Sequence, residues 1–362
     1  MPITQTALSE SKVIFASGND SFTVRDLIDA AIFRGEIEPT WKELLRMIAA
    51  EKKADEQELE LDDEAIDTAA EAFRYEHDLI TAEETEQWLE ERGLTLSDFS
   101  NYFVRHYWSR VVDEVEPATI DFFSAPHELQ ELLKAELIFS GELDRLATRL
   151  SWRVAGLRAA GNNNLDAQSI VTEQRRFLQR AGIDEAKLSD WLARLGRDAE
   201  WFRTALAMEI IQRQKCEALL NKQAREHEVA ALRLPLTHFD LETVEFDSLD
   251  AAREALLCVR EDGMSMNEVA TEGRYPYRRA EVLLEDLPPD LQQKFLSVSA
   301  GDILEPIARG DGFHLCRVIH KTEPQVDDPA VRDRAEKRIL ERHFAELSAK
   351  HIQWRTALNP TR

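Results

Sequence analysis

The sequence predicts an α+β protein that is mainly helical. Residues 1–230 carry apolar positions at helical spacing, with few of the alternations that mark strands. The same stretch contains an internal repeat. Residues 246–324 follow a different motif order that mixes strands and helices, and a last helix closes the chain from Pro329 to Trp354.

The repeat is legible residue by residue. Ile32-Phe33-Arg34-Gly35-Glu36-Ile37-Glu38 returns as Ile138-Phe139-Ser140-Gly141-Glu142-Leu143-Asp144, an offset of 106 positions. Leu61-Asp62 and Ile66 return as Leu165-Asp166 and Ile170, an offset of 104. Phe73, Trp88, Leu89, Gly93 and Phe99 return as Phe177, Trp191, Leu192, Gly196 and Phe202, with the offset settling at 103. A spacing this long is outside the range of solenoid repeats, which recur every 20–50 residues or so. It suits a duplicated small helical domain.

Each copy has its own punctuation. Thr81 stands before Glu83 and Glu84 and then the apolar Trp88 and Leu89, as an N-cap followed by acidic first-turn residues does. Gly93 ends that helix, since a left-handed residue after the last turn is usually glycine. Thr95 or Ser97 opens the next, where Phe99, Phe103, Tyr107 and Val111 form an expected buried stripe. In the second copy the same parts are Asp184, Trp191, Gly196, and the stripe Phe202, Leu206 and Ile210.

Charge narrows the range of partners. The net charge is −24, and residues 51–100 hold 18 acidic and 4 basic side chains. Phosphate backbones require clustered Lys and Arg, so general nucleic-acid binding is excluded, while a basic partner is compatible. Cys216, Cys258 and Cys316 are far apart, with no metal-ligand spacing and no paired framework. No metal and no cofactor is expected. No segment approaches the roughly 20 apolar residues that cross a bilayer. The first 15 residues lack a basic region and an apolar run, so they are not read as a secretion signal. The expectation is a cytoplasmic protein without membrane insertion.

The stretch 246–324 carries the most specific motifs. Gly263, Met266 and Ala270 are followed by Leu287, Pro288, Leu291, Phe295, Gly301 and Pro306, and then by Gly312-Phe313-His314-Leu315 and Val318. This order resembles the parvulin-type (PpiC-type) prolyl isomerases, over about a fifth of the chain. The resemblance implies a small α+β module in which an apolar pocket takes a proline ring and paired histidines on neighbouring strands set the polarity around the rotating bond. Prolyl isomerisation needs no nucleophile, metal or cofactor. Its barrier of roughly 18–20 kcal/mol comes from amide resonance, and a catalyst only has to bind the twisted amide better than the planar forms.

The carry-over of the catalytic set is incomplete. The second histidine is His314. The first belongs within a residue of Val244, and no histidine is there. The glycine-rich turn of the family falls on Pro276-Tyr277-Arg278-Arg279-Ala280, which has no glycine. The pocket positions fall on Leu287 and Leu291 and remain apolar. Leu287, Leu291, Phe295, Phe313 and His314 are therefore the candidate peptide-binding residues, and His314 is the one catalytic candidate. Each has a plainer reading as well. Leu287, Leu291 and Phe295 have core-helix spacing, and a histidine between Phe313 and Leu315 suits an inner strand. His106, Tyr107 and Trp108 attract attention as neighbours, but on a helix they point three ways.

The beginning of the chain resembles the N-terminal chaperone domain of SurA-like proteins. Phe22-Thr23-Val24-Arg25-Asp26-Leu27, Trp41–Ala54 and Trp88–Phe99 carry that resemblance. It implies that the final segment packs back on the helical part, with Ile352 and Trp354 as anchors. The expected organisation is a helical domain over 1–118, its repeat over 119–235, a parvulin-like module over 236–326 and a C-terminal helix over 327–362. The expected function is a peptide- or unfolded-protein-binding chaperone or peptide-maturation factor, with a basic precursor peptide among its clients. An active prolyl isomerase and a scaffold for a partner enzyme or exporter are the alternatives.

Overall fold

The structure, a computed structural model, describes residues 11–113, 115–161 and 165–356. Mainly helical α+β architecture is what it shows: fifteen α-helices and seven short strands among the described residues. These form two compact units, one of residues 11–215 with 343–356, the other of Cys216–Arg342. The boundary falls inside two helices, Ala199–Leu219 and Pro329–His351.

The first unit is the duplication made visible. Helix Val24–Arg34 corresponds to His127–Phe139, and Glu38–Glu56 to Glu142–Ala160, both of 19 residues. Asp63–Glu76 corresponds to Ala167–Ala181, Ala82–Glu91 to Leu188–Leu195, and Leu96–Val111 to Ala199–Leu219. The local signals repeat too. Gly35 and Gly141 both turn the chain with left-handed φ of 70° and 69°, a conformation that costs glycine little. Asp62 and Asp166 each cap a helix by accepting the backbone N–H three residues on. Thr81 and Thr95 close capping boxes with Glu84 and Asp98.

What the repeat does not announce is how the copies interlock. Helix Val24–Arg34 packs on Glu142–Ala160 of the other copy, and His127–Phe139 packs on Glu38–Glu56. Leu27, Ile28, Leu44, Met47, Leu133, Leu137, Leu146 and Leu150 from these four helices share one core. The exchange continues outward. Phe73, Trp88, Phe99 and Phe103 form an aromatic cluster completed by Phe139, which ends the first helix of the other copy. Phe177, Trp191 and Phe202 form the matching cluster, completed by Phe33 of the first. Phe33 stacks on Phe177 at 4.9 Å, and Phe139 meets Phe73 edge-on at 5.9 Å. Trp88 and Trp191 are 7% and 6% exposed, at equivalent places.

One stripe departs from expectation. Phe99 and Phe103 are buried, but Val111 is 48% exposed, and Trp108 and Val112 take the buried positions. A spacing of four overshoots the 3.6-residue turn, so a stripe of such steps rotates off the face it began on. The expected boundary near residue 118 lies inside one compact unit.

The unit is closed by a small antiparallel sheet. β1 (Val13–Ser17) pairs with β2 (Asp20–Thr23) on one side. The second unit supplies β3 (His238–Phe246), β4 (Tyr277–Leu283), β5 (Ile307–Arg309) and β6 (Gly312–Thr322), in the order β4-β3-β6-β5. Finally β7 (Gln353–Trp354) returns to pair with the other side of β1. Ile352 joins the shared core at 8% exposure. Trp354 keeps 45% exposure and lies edge-on to Phe15 at 5.4 Å. The tail is therefore anchored by Ile352 and strand pairing, with Trp354 half outside. The expected C-terminal segment 327–362 is divided. Val331 and Ala335 pack with Val229, Leu236 and Leu283 in the second unit, whereas Phe344 stacks on Trp152 in the first.

Within the second unit, strand alternation sends side chains to two faces. Helices Leu249–Arg260 and Met266–Gly273 cover Val244, Phe246 and Leu315 on one. Helix Pro289–Ser297 covers Phe239, Leu241, Cys316 and Val318 on the other, through Leu291 and Phe295.

Candidate functional site

The histidine expected to matter sits near the start of β6. In the register of β3 and β6, His314 lies opposite Glu245, Cys316 opposite Thr243, and Val318 opposite Leu241. All six share the sheet face covered by helix Pro289–Ser297. The position where a partner histidine was expected is thus held by Thr243 and Glu245, one on each side of Val244. Thr243 Oγ1 lies 3.7 Å from Cys316 Sγ. Glu245 is paired with Arg278 at 3.1 Å.

Burial pulls the His314 imidazole below its ordinary pKa. Glu245 opposes that shift, and Arg309 and Arg278 add to it. Burial pushes the Cys316 thiol up, against a smaller pull from the Thr243 hydroxyl. A neutral imidazole and a neutral thiol beside a paired carboxylate make a polar edge without a second imidazole. At the place where the family has its glycine-rich turn, Tyr277–Ala280 are the start of β4, in register with β3 from Tyr277 opposite Val244.

A cavity of about 340 Å³ opens beside His314, lined by Glu245, Phe246, Tyr275, Pro276, Arg309 and Phe313 among others. Of the five residues singled out in the sequence, it gathers Phe313 and His314. Leu287, Leu291 and Phe295 lie together elsewhere, in the apolar cluster under helix Pro289–Ser297. Leu291 and Phe295 are 6% and 1% exposed, so they form the floor of that face, while Leu287 is half-buried. Phe313 packs with the opposite cluster, around Leu256 and Met266. Alternation along β6 explains the split, because adjacent residues 313 and 314 face opposite sides.

A larger apolar hollow lies in the first unit, where no sequence motif pointed. It has a volume of about 590 Å³ and walls of Ile32, Phe33, Ile37, Trp41, Leu45, Phe122, Phe123 and Trp191. Its charged lining is already engaged. Lys42 pairs with Glu38 at 2.6 Å, Asp121 with Arg194 at 3.2 Å, and Arg180 donates to the Phe33 carbonyl at 2.9 Å. Such a hollow offers a guest apolar surface more than charge. The one sequence signal that could have located it is the repeat, since Phe33 and Trp191 belong to different copies.

His106, Tyr107 and Trp108 do point apart. His106 Nε2 meets Glu136 Oε1 at 2.8 Å, Tyr107 is half-buried and Trp108 is core. Their neighbourhood holds a group the sequence reading missed: Arg105, 3% exposed inside the helical unit, with Nε and Nη2 making no hydrogen bond. Among the described residues no group of three His, Cys, Asp or Glu side chains is placed to hold a metal.

No protein-family model matches the chain, and no curated protein matches it. Among solved structures, it is similar to the peptidylprolyl isomerase PrsA from Bacillus anthracis at 13% identity, covering 57% of this chain and 93% of that one, with a TM-score of 0.29. Against PrsA from Bacillus cereus the identity is 9%, the coverage 61% and 85%, and the TM-score 0.36. It is also similar to one of the SurA-like chaperones PEB4 and Cj1289 of Campylobacter jejuni, at 12% identity, 60% and 89% coverage, and a TM-score of 0.22. With TM-scores this low, the functional reading rests on the chain's own residues.

Proposed function

We propose that this protein is a binding protein for extended peptide or unfolded-protein segments, a chaperone-type function in which the duplicated helical unit holds the client and the second unit is without appreciable prolyl isomerase turnover. The observation that carries the binding reading is the apolar hollow of about 590 Å³ in the duplicated unit, whose charges are already paired. Turnover is disfavoured by Glu245 and Thr243, which stand opposite His314 and Cys316 where a second imidazole would be needed. The acidic stretch 51–100 draws in clients with basic flanks, of which a precursor peptide is one, and raises their rate of capture. A cytoplasmic setting belongs to the same proposal, checked by fractionating cells that express the chain.

Two measurements test it together. Fluorescence anisotropy with basic, neutral and acidic peptides should show saturable binding, strongest for basic peptides. A coupled prolyl-peptide assay should show a rate near the uncatalysed one. Failure of every peptide to bind would leave the chain as a scaffold. A rate within tenfold of an ordinary parvulin, abolished by His314→Ala, would restore the enzyme.

A further inference from the structure

The segment that joins the two copies runs over the hollow just described. From Pro117 to Asp121 it has no regular secondary structure, the backbone is extended at Asp121 before a 3-10 turn over Phe122–Ser124, and residues 116–119 are exposed. A side chain on the wall holds its backbone: the Trp41 indole N–H donates to the Ile120 carbonyl at 2.8 Å. Asp121 is held by Arg194, whose guanidinium also lies 4.6 Å from the centre of the Phe123 ring. The segment thus has one backbone carbonyl read by a donor, an acidic side chain read by an arginine, and partly buried apolar side chains packed against the core.

Two more features set it apart. Phe122 and Phe123 are only half-buried, whereas the phenylalanines of the two aromatic clusters are at most 8% exposed. A second cavity of about 220 Å³ lies against the same pair, lined by Arg25, Lys134 and Arg194 among others. Ile32, Phe122 and Phe123 line both cavities. The Phe122-Phe123 pair is therefore a partition between an apolar hollow and a more polar one, whose lining carries Asp29 beside Arg25, Lys134 and Arg194. Moving it aside would join them into one groove.

We propose that Pro117–Phe123 is an internal plug. It occupies a groove whose external ligand is an extended peptide segment with bulky apolar residues next to an acidic one, and a client must displace it to bind. The proposal rests on the binding reading above and deepens it by naming the place and the class of segment. A tethered competitor of this kind acts at an effective concentration of order 1 mM. A matching peptide supplied from outside is held off until the plug is weakened.

The test uses the full chain and a fluorescein-labelled peptide of residues 116–125, followed by anisotropy. Phe123→Ser and Asp121→Asn weaken the plug and leave the opposite wall, Ile32, Phe33, Trp41 and Trp191, unchanged. Phe123→Ser should tighten binding of the labelled peptide at least tenfold, and Asp121→Asn about threefold. A control peptide carrying Ile120→Ser, Phe122→Ser and Phe123→Ser should not bind either variant. Trp41→Phe, which removes the indole donor, should undo part of the gain when added to Phe123→Ser. Circular dichroism melts establish that each variant is folded, and Asp121→Asn, at an exposed position, serves if Phe123→Ser is not. Unchanged affinity in the folded variants overturns the plug. If the general client peptides still bind, only the plug has fallen. If the plug peptide gains affinity while no general client binds, the plug stands and the chaperone reading falls.

Discussion

Helices Asp63–Glu76 and Ala167–Ala181 are one element in two copies. Each starts at an aspartate cap and sends one phenylalanine, Phe73 or Phe177, into an aromatic cluster completed by the other copy. In their charges, the buried Glu173 included, they part company. The first has five acidic side chains and one basic, the second one acidic and three basic. The difference teaches which positions are constrained. An aromatic ring in a packed cluster has neighbours on every side, so its shape is held. A solvated position adjusts its charge at little cost in stability. The duplication therefore persists inside, while the surfaces have become an acidic copy and a more basic one.

The sharpest way to break this comparison is to remove the equivalent tryptophans. Trp88→Ala and Trp191→Ala should each cost about 3–5 kcal/mol, as truncation of a buried aromatic does, measured by urea unfolding of the full chain. Costs that differ several-fold would mean that the two places are not equivalent. A second experiment addresses the exchange between copies. Phe33→Leu and Phe177→Leu should couple by roughly 0.5–1.5 kcal/mol in a double-mutant cycle, because the rings stack. Phe33→Leu and Phe73→Leu, which share a copy but belong to different clusters, should add with no coupling. The reverse pattern would mean that each copy completes its own cluster.

The surface half of the comparison predicts a salt effect. Raising salt from about 0.05 to 0.5 M shortens the Debye length several-fold. Affinity for a basic peptide should fall several-fold, and neutralising Glu83, Glu84 and Glu86 to Gln should flatten that dependence. The matching change at Arg175 and Arg176 should not. Equal effects from both copies would remove the acidic stretch as the capture surface.

The smallest expected effect is on pH dependence. Burial lowers the His314 pKa in the folded state. Stability from the neutral imidazole is thus full above its unfolded value of about 6.5, and is lost as pH falls through the folded value. His77 and His343 shift the same way, also through burial. Urea midpoints should decline between pH 7.5 and 5.5, and His314→Gln should make the decline shallower. An unchanged slope would place His314 in solvent.

Much of the helical unit was legible because its signals are local. Thr81 with Glu84 and Thr95 with Asp98 act within four residues of chain, and Gly35 and Gly141 each turn the chain on their own, so the sequence carries them without reference to anything distant. The candidate site was legible only in part. His314 and its missing partner could be placed from motif order, but Phe313 and His314 face opposite ways, and Leu291 and Phe295 are core. Motif spacing does not state strand register, and register decides which side chain meets which.

By itself the sequence determined the helical repeat, its caps and turns, its buried aromatics and the acidic surface of one copy, because periodicity and charge are properties of the chain. Only the tertiary structure decided that Phe33 completes the cluster of Trp191 and Phe139 that of Trp88, that Glu245 faces His314, and that Phe122 and Phe123 divide two cavities. Apolar spacing says which face of a helix must be covered, but the hydrophobic effect is non-directional. The covering partner is chosen by how all the elements pack at once.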